Sequence, residues 1–213
     1  MQESNNLNKV EESYLITLKE KIKQEKEKVI NYEGETKIKE DIQLLCKKHN
    51  IENIYPFPII SMLKEENILV VKQDLDNFSK ITSRTSRIGG IIIKNEDIKS
   101  VYGNDLVIIL NESDLLFQRR FIAAHEYAHY KYDYNILSNV FYKEYLYNEN
   151  KNEESEKRAN CFARNILMPE NIFKDKFKEF YNINIMSCIS KLAEYFGVVE
   201  DSIYLRIAEL NLL

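Results

Sequence analysis

The chain has no tryptophan, and its 213 residues include only three prolines, five glycines, three cysteines and three histidines. So little glycine and proline leaves no flexible linker in view and excludes a low-complexity chain. Cys46, Cys161 and Cys188 are far apart, odd in number and form no CxxC unit. That pattern reads as buried thiols in a reduced, intracellular protein. Long apolar runs are missing too. The stretch from Leu106 to Leu110 is among the longest, and it is strand-sized, too short to span a bilayer. The first ten residues are polar and hold no apolar signal core, so the expected location is the cytoplasm. Lys and Arg number 30 against 34 for Asp and Glu, a net charge of -4, with no general pull toward nucleic acid. No internal repeat is visible. The length suits one sizeable core, or one domain with a small appendage.

What is present divides by period. Residues 1–34 are rich in Lys and Glu, with Leu7, Val10, Tyr14, Leu15, Leu18 and Ile22 at helical spacing, which predicts an amphipathic helix. A break near Gly34 precedes a second helix over 36–50, carrying Ile38, Ile42, Leu45 and Cys46 on one side. Pro56-Phe-Pro58 opens a short helix to about Glu65. The pattern then changes to β-branched runs at 68–71, 88–94 and 105–111. These predict a small, mainly antiparallel sheet of three strands, with the last two runs as a hairpin around residues 95–104. Residues 76–87 read as an exposed polar loop. Everything after Asn111 reads as helical. One helix is capped by Ser113 and runs to about Lys131, and others span 153–167, 169–181, 186–196 and 200–210. Residues 132–152 carry no clear pattern. The fold class is α+β: a helical extension over 1–35, then a domain over 36–213 whose residues 182–213 form a helical subregion.

The segment His125-Glu126-Tyr127-Ala128-His129 carries the chemistry. Two histidines four apart on a helix share one face, so both imidazoles can reach one metal ion. Glu126 between them is placed to act as general base on a water activated by that metal. Two of the three histidines of the chain lie here. A catalytic zinc takes three protein ligands and keeps one position open. His49 lies in the N-terminal helical part, so the third ligand is an acidic residue or Cys161. Glu153, Glu154 and Glu156 all lie downstream, and Glu156 fits best. Asn160 is one helical turn beyond it and is suited to hold the far nitrogen of a ligating histidine. From spacing alone, Glu153, Glu154 and Cys161 remain alternatives. Tyr130 and the tyrosines between 132 and 147 are candidates to support an oxyanion.

The run from Arg119 to His129, RRFIAAHEYAH, resembles the R-R-F-x-x-A-H-E-x-x-H helix of the ImmA/IrrE family of zinc-dependent metallopeptidases. The run from Glu156 to Pro169, EKRANCFARNILMP, is similar to the family's E-x-x-A-N-x-F-A-x-x-L-L-M-P segment. Residues 192–210 resemble its closing segment, with Val199 standing where the family often has Ser. The resemblance covers roughly residues 36–213 and leaves 1–34 outside. It implies one Zn²⁺ per chain, held by His125, His129 and Glu156, with Glu126 as the catalytic base. It also implies a protein substrate, typically a helix-turn-helix repressor of a mobile element, prophage or stress response. Residues 76–87 and an edge of the sheet would suit an extended peptide docking by strand addition. The alternative is a zinc-binding regulatory or DNA- or partner-binding module without protease activity. For DNA, the helix at 200–210 offers only Arg206 among Glu200, Asp201 and Glu209, so direct nucleic-acid binding is not expected.

Overall fold

In the computed structural model, residues 2–29, 32–77, 88–133 and 153–213 are described. They form two compact units. One comprises Tyr32–Ile166, the other Met1–Asn31 together with Leu167–Leu213. The expected α+β class is observed, with three strands and helices on both sides of them in the chain.

The first unit holds α2 (Glu35–His49), α3 (Ile59–Glu65), β1 (Leu69–Gln73), β2 (Gly90–Lys94), α4 (Glu96–Tyr102), β3 (Leu106–Asn111), α5 (Leu116–Asp133) and nearly all of α6 (Glu153–Leu167). Helix α2 forms as its spacing predicts: Ile38, Ile42 and Leu45 are its buried stripe, and Asn50 closes it in the left-handed conformation. The third histidine serves this packing. His49 lies between Glu65 on α3 (2.6 Å) and Glu66 (2.5 Å), far in role from any metal.

The sheet order is β1-β3-β2. Strand β3 is buried at all six positions, as suits the central strand of a sheet covered on both faces. The expected mainly antiparallel sheet is corrected to a mixed one: β2 pairs antiparallel with β3, but β1 pairs parallel with it. Continuous apolar runs carry no information about strand direction, which is why the pattern alone did not reveal this. The expected hairpin is also more elaborate. Helix α4 stands between β2 and β3, with the Asn95 side chain accepting from Ile98 N at 2.7 Å and Gly103 closing it at φ 76°.

The two faces of the sheet differ. Ile91, Ile93, Val107 and Ile109 pack with Leu75 and Ile88, flanked by Ile98 and Tyr102 of α4. Helix α5 lies on the other face, against β2 and β3. Gly90 permits that approach. A Cβ at this position would overlap Ile122 Cγ2 and lie 3.4 Å from Glu126 Cγ. Small residues on α5, Ala123, Ala124 and Ala128, are buried beside Tyr127, whose ring meets Phe162 of α6 at 5.7 Å. Ser113 does not cap α5. Its hydroxyl donates to Asp76 and Asn111, and the helix begins three residues later. Gln118 reaches back to accept from Leu115 N at 3.0 Å, one half of a capping box.

The second unit is helical throughout its described residues: α1 (Gln2–Lys26), α7 (Glu170–Ile183), α8 (Ile185–Phe196) and α9 (Glu200–Glu209). Leu18 and Ile22 of α1 are buried with Phe173, Leu192, Phe196, Ile203 and Ile207. Phe173 and Phe196 stack at 5.4 Å. Gly197 ends α8 at φ 63°, the break that its sequence position predicts. No described helix is long and apolar enough to cross a membrane.

Candidate metal centre

Helices α5 and α6 build the site between them. The 3.6-residue period puts His125 and His129 on one face of α5, with ring centroids 4.6 Å apart and Nε2 atoms 2.9 Å apart. Glu156, in the first turn of α6, meets both. Its Oε2 is 3.4 Å from His125 Nε2, and its Oε1 is 3.5 Å from His129 Nε2. The ligating atoms of these three residues all lie within 4.8 Å of one another. Ligands about 2.0–2.1 Å from a tetrahedral ion stand about 3.3 Å apart, so the three edges have the size such an ion needs. The donor set of two imidazoles and a carboxylate is one that a borderline divalent cation accepts.

Each histidine is held from behind. His125 Nδ1 donates to Asn160 Oδ1 at 3.0 Å, the partner that its spacing from Glu156 suggests. His129 Nδ1 donates to Asp133 Oδ2 at 2.8 Å. Both bonds use the nitrogen facing away from the cluster and turn Nε2 of each ring toward it. Asp133 also accepts from Ser155 Oγ at 2.6 Å and pairs with Arg158. Burial opposes charging His129, but its bonds to Asp133 and Glu156, with Glu126 nearby, outweigh that and raise it to about 9. Burial would raise the Asp133 carboxyl. The His129 and Ser155 hydrogen bonds and the Arg158 charge hold it below the usual carboxylate range.

Glu126 is 6 % exposed, and its Oε2 has no hydrogen-bond partner among the described residues. A buried carboxylate oxygen without a donor is costly unless something else occupies it in use. Here it fits the group that a metal ion and its water would complete.

Two of the alternatives for the third ligand, Cys161 and Glu154, stand outside the cluster. Cys161 is fully buried, with Asn165 Nδ2 3.4 Å from its sulfur, and it does not join the cluster. Glu154 is exposed and also stands outside it, and the Glu153 side chain is not among those described. Of the tyrosines, Tyr132 donates to Asp41 at 3.0 Å and so serves packing, while the Lys94 ammonium lies 5.6 Å from the Tyr130 ring centre. Residues 134–152, with their further tyrosines, and residues 78–87 of the expected loop lie outside the described residues. Asp133, Ser155 and Arg158 escaped the sequence reading. The signal for Asp133 was available, since it lies four residues beyond His129 on the same helical face.

Two histidines one turn apart, a carboxylate from a second helix and a buried glutamate beside them make a site of the metallopeptidase type. A family model for the IrrE N-terminal-like domain, Peptidase_M78, matches residues 64–208, more than two thirds of the chain. The chain belongs to this family. No curated protein matches it.

Proposed function

We propose that this chain is a zinc-dependent endopeptidase that hydrolyses a peptide bond in a regulatory protein, a helix-turn-helix repressor of a mobile element, prophage or stress response. The observation that carries this reading is the meeting of His125, His129 and Glu156 beside the unpartnered Oε2 of Glu126. His125, His129 and Glu156 hold one Zn²⁺. When bound, such an ion acidifies water and polarises a carbonyl. The chain's own residues do the rest. Glu126 takes a proton from water at Oε2 and later returns it to the departing amine. Asn160 and Asp133 keep the imidazoles in the tautomer that presents Nε2. Strand β2 lies at an edge of the described sheet, and Gly90 sits beside Glu126. An extended substrate segment adds to that edge and brings its scissile carbonyl to the base.

The DNA-binding reading loses its one cation. Arg206 is fully buried and donates to Met168 O at 3.2 Å and to Glu209 Oε2 at 2.6 Å. It is a packing residue of the helical unit and not a groove contact.

The test is Glu126→Gln in the full chain, incubated with a candidate repressor, with zinc content measured in parallel. We expect bound zinc at wild-type level and cleavage reduced by roughly 10²–10⁴-fold. Cleavage at the wild-type rate removes the base assignment.

A further inference from the structure

We propose that Asp133 is a positioning residue for the metal. With Ser155 and Arg158 it forms a clamp that fixes the tautomer and ring orientation of His129, and so sets how tightly the chain holds its ion. The inference rests on the reading of His125, His129 and Glu156 as metal ligands.

Asp133 is the last described residue of α5 and is 3 % exposed. A buried carboxylate loses its hydration. That disfavours an acid here, so the groups around it must be compensating. Three are present. His129 Nδ1 and Ser155 Oγ bind one carboxylate oxygen, and the Arg158 guanidinium binds the other. Each of these three partners is a metal ligand or belongs to the turn that carries one. Ser155 precedes Glu156 directly, and Arg158 follows two residues later. One turn of α6 therefore offers Glu156 to the histidine Nε2 atoms and, beside it, Ser155 and Arg158 to Asp133.

The two histidines differ in a way that assigns the clamp a function. Behind His125 stands a neutral amide oxygen, and behind His129 stands an anion whose charge Arg158 sustains. An anionic acceptor binds an N–H about twice as strongly as a neutral one and makes the opposite nitrogen a better donor to a metal. His129 is also the fully buried one of the pair. With the ring pinned at Nδ1, its Nε2 has one direction available, toward His125 and Glu156. The clamp also joins the last described turn of α5 to the first described turn of α6. A shift in the register of these helices would move His129 and Glu156 apart at the same time.

The experiment uses metal-stripped full-length chain. Zn²⁺ affinity is measured by competition with a chromogenic chelator, and the visible spectrum is recorded after loading with Co²⁺. Helical content of the metal-free forms is followed by circular dichroism. Relative to wild type, Asp133→Asn is expected to bind zinc roughly 10–100-fold more weakly, the range for loss of an outer partner of a ligating histidine. Its cobalt bands should shift, which a purely structural contact would not cause. Asp133→Glu should restore part of the affinity. Arg158→Met, at a side chain 21 % exposed, should weaken binding in the same direction by a smaller factor. If Asp133→Asn fails to fold, Arg158→Met decides by the same two readouts. Wild-type affinity and an unchanged cobalt spectrum in the folded variants overturn the clamp. A wild-type chain that binds neither Zn²⁺ nor Co²⁺ instead overturns the metal-site reading from which it starts.

Discussion

The two units of this molecule bury different chemistry. In Tyr32–Ile166 the interior contains Asn111, Asp114, Glu126, His129, Asp133, Ser155, Arg164 and Asn165 beside its apolar core. In the helical unit, Arg206 is the single buried polar side chain among the described residues, and the rest is Phe, Leu, Ile, Val, Met, Ala and Cys. An apolar interior of that kind is stabilised by area removed from water and tolerates few polar groups. A buried His, Asp and Glu together cost stability unless each finds a partner, so such a cluster marks the place where packing is subordinate to function. The lesson is to ask of each buried polar group what satisfies it. Arg206 is answered by Met168 and Glu209 of its own unit. Oε2 of Glu126 is not answered by any described residue.

The largest effect expected from breaking this contrast is at Glu156. Glu156→Ala removes the proposed third ligand and leaves the apolar cores intact. Metal affinity should fall by more than the roughly 10–100-fold of an outer partner, with helical content retained. Full metal retention in a folded variant would transfer the ligand role to another group. Next comes Arg206→Leu in the helical unit. Breaking this buried pair leaves Glu209 without its cation and should cost about 3 kcal/mol of stability, read from chemical denaturation. Zinc content at saturating metal should not change. If this variant lost metal while keeping its stability, the division between a packing arginine and a functional cluster would be wrong.

Gly90→Ala probes the contact between β2 and α5. The added methyl overlaps Ile122 and presses on Glu126, so a loss of about 1–3 kcal/mol is expected. On the proposed mechanism cleavage should fall further than zinc binding does, because Glu126, and none of His125, His129 and Glu156, is among the nearest atoms that the methyl meets. Equal losses in both would mean that the whole of α5 had shifted. The smallest effect is at the thiols. Burial pushes Cys46 up to about 11, with Glu52 adding to it, and burial pushes Cys188 to a similar value in the other unit. At pH 8 only about a thousandth of Cys46 is thiolate, so alkylation in the folded chain should be slow and rise about tenfold per pH unit. A Cys46 that reacts at pH 8 like a free cysteine would mean that neither burial nor Glu52 holds this thiol up.

The legible parts of this protein were those that one helix can encode. His125 and His129 stand four apart, and Glu156 and Asn160 stand four apart. In each pair, helix geometry alone puts the two side chains on one face. The structure brings the two faces together as the spacing suggested. Strand direction was not legible. Leu69–Gln73 reads the same whether it runs with β3 or against it, and only its route across the sheet decides. The helix within residues 95–104 was hidden for a related reason: Asn95 and Gly103 are as much turn residues as helix caps. Nothing local in the run at 88–94 shows why Gly89 and Gly90 are glycine; that follows from Ile122 packed against them.

By itself, then, the sequence determined the chemistry of the site, because ligand spacing on a helix follows from 3.6 residues per turn and needs no distant contact. Only the tertiary structure decided which acidic side chain of α6 meets the histidines, that Asp133 and Arg158 stand behind one of them, and that α1 shares a unit with the C-terminal helices. Those choices depend on which buried faces fit together across many residues, and such packing leaves no local period to read.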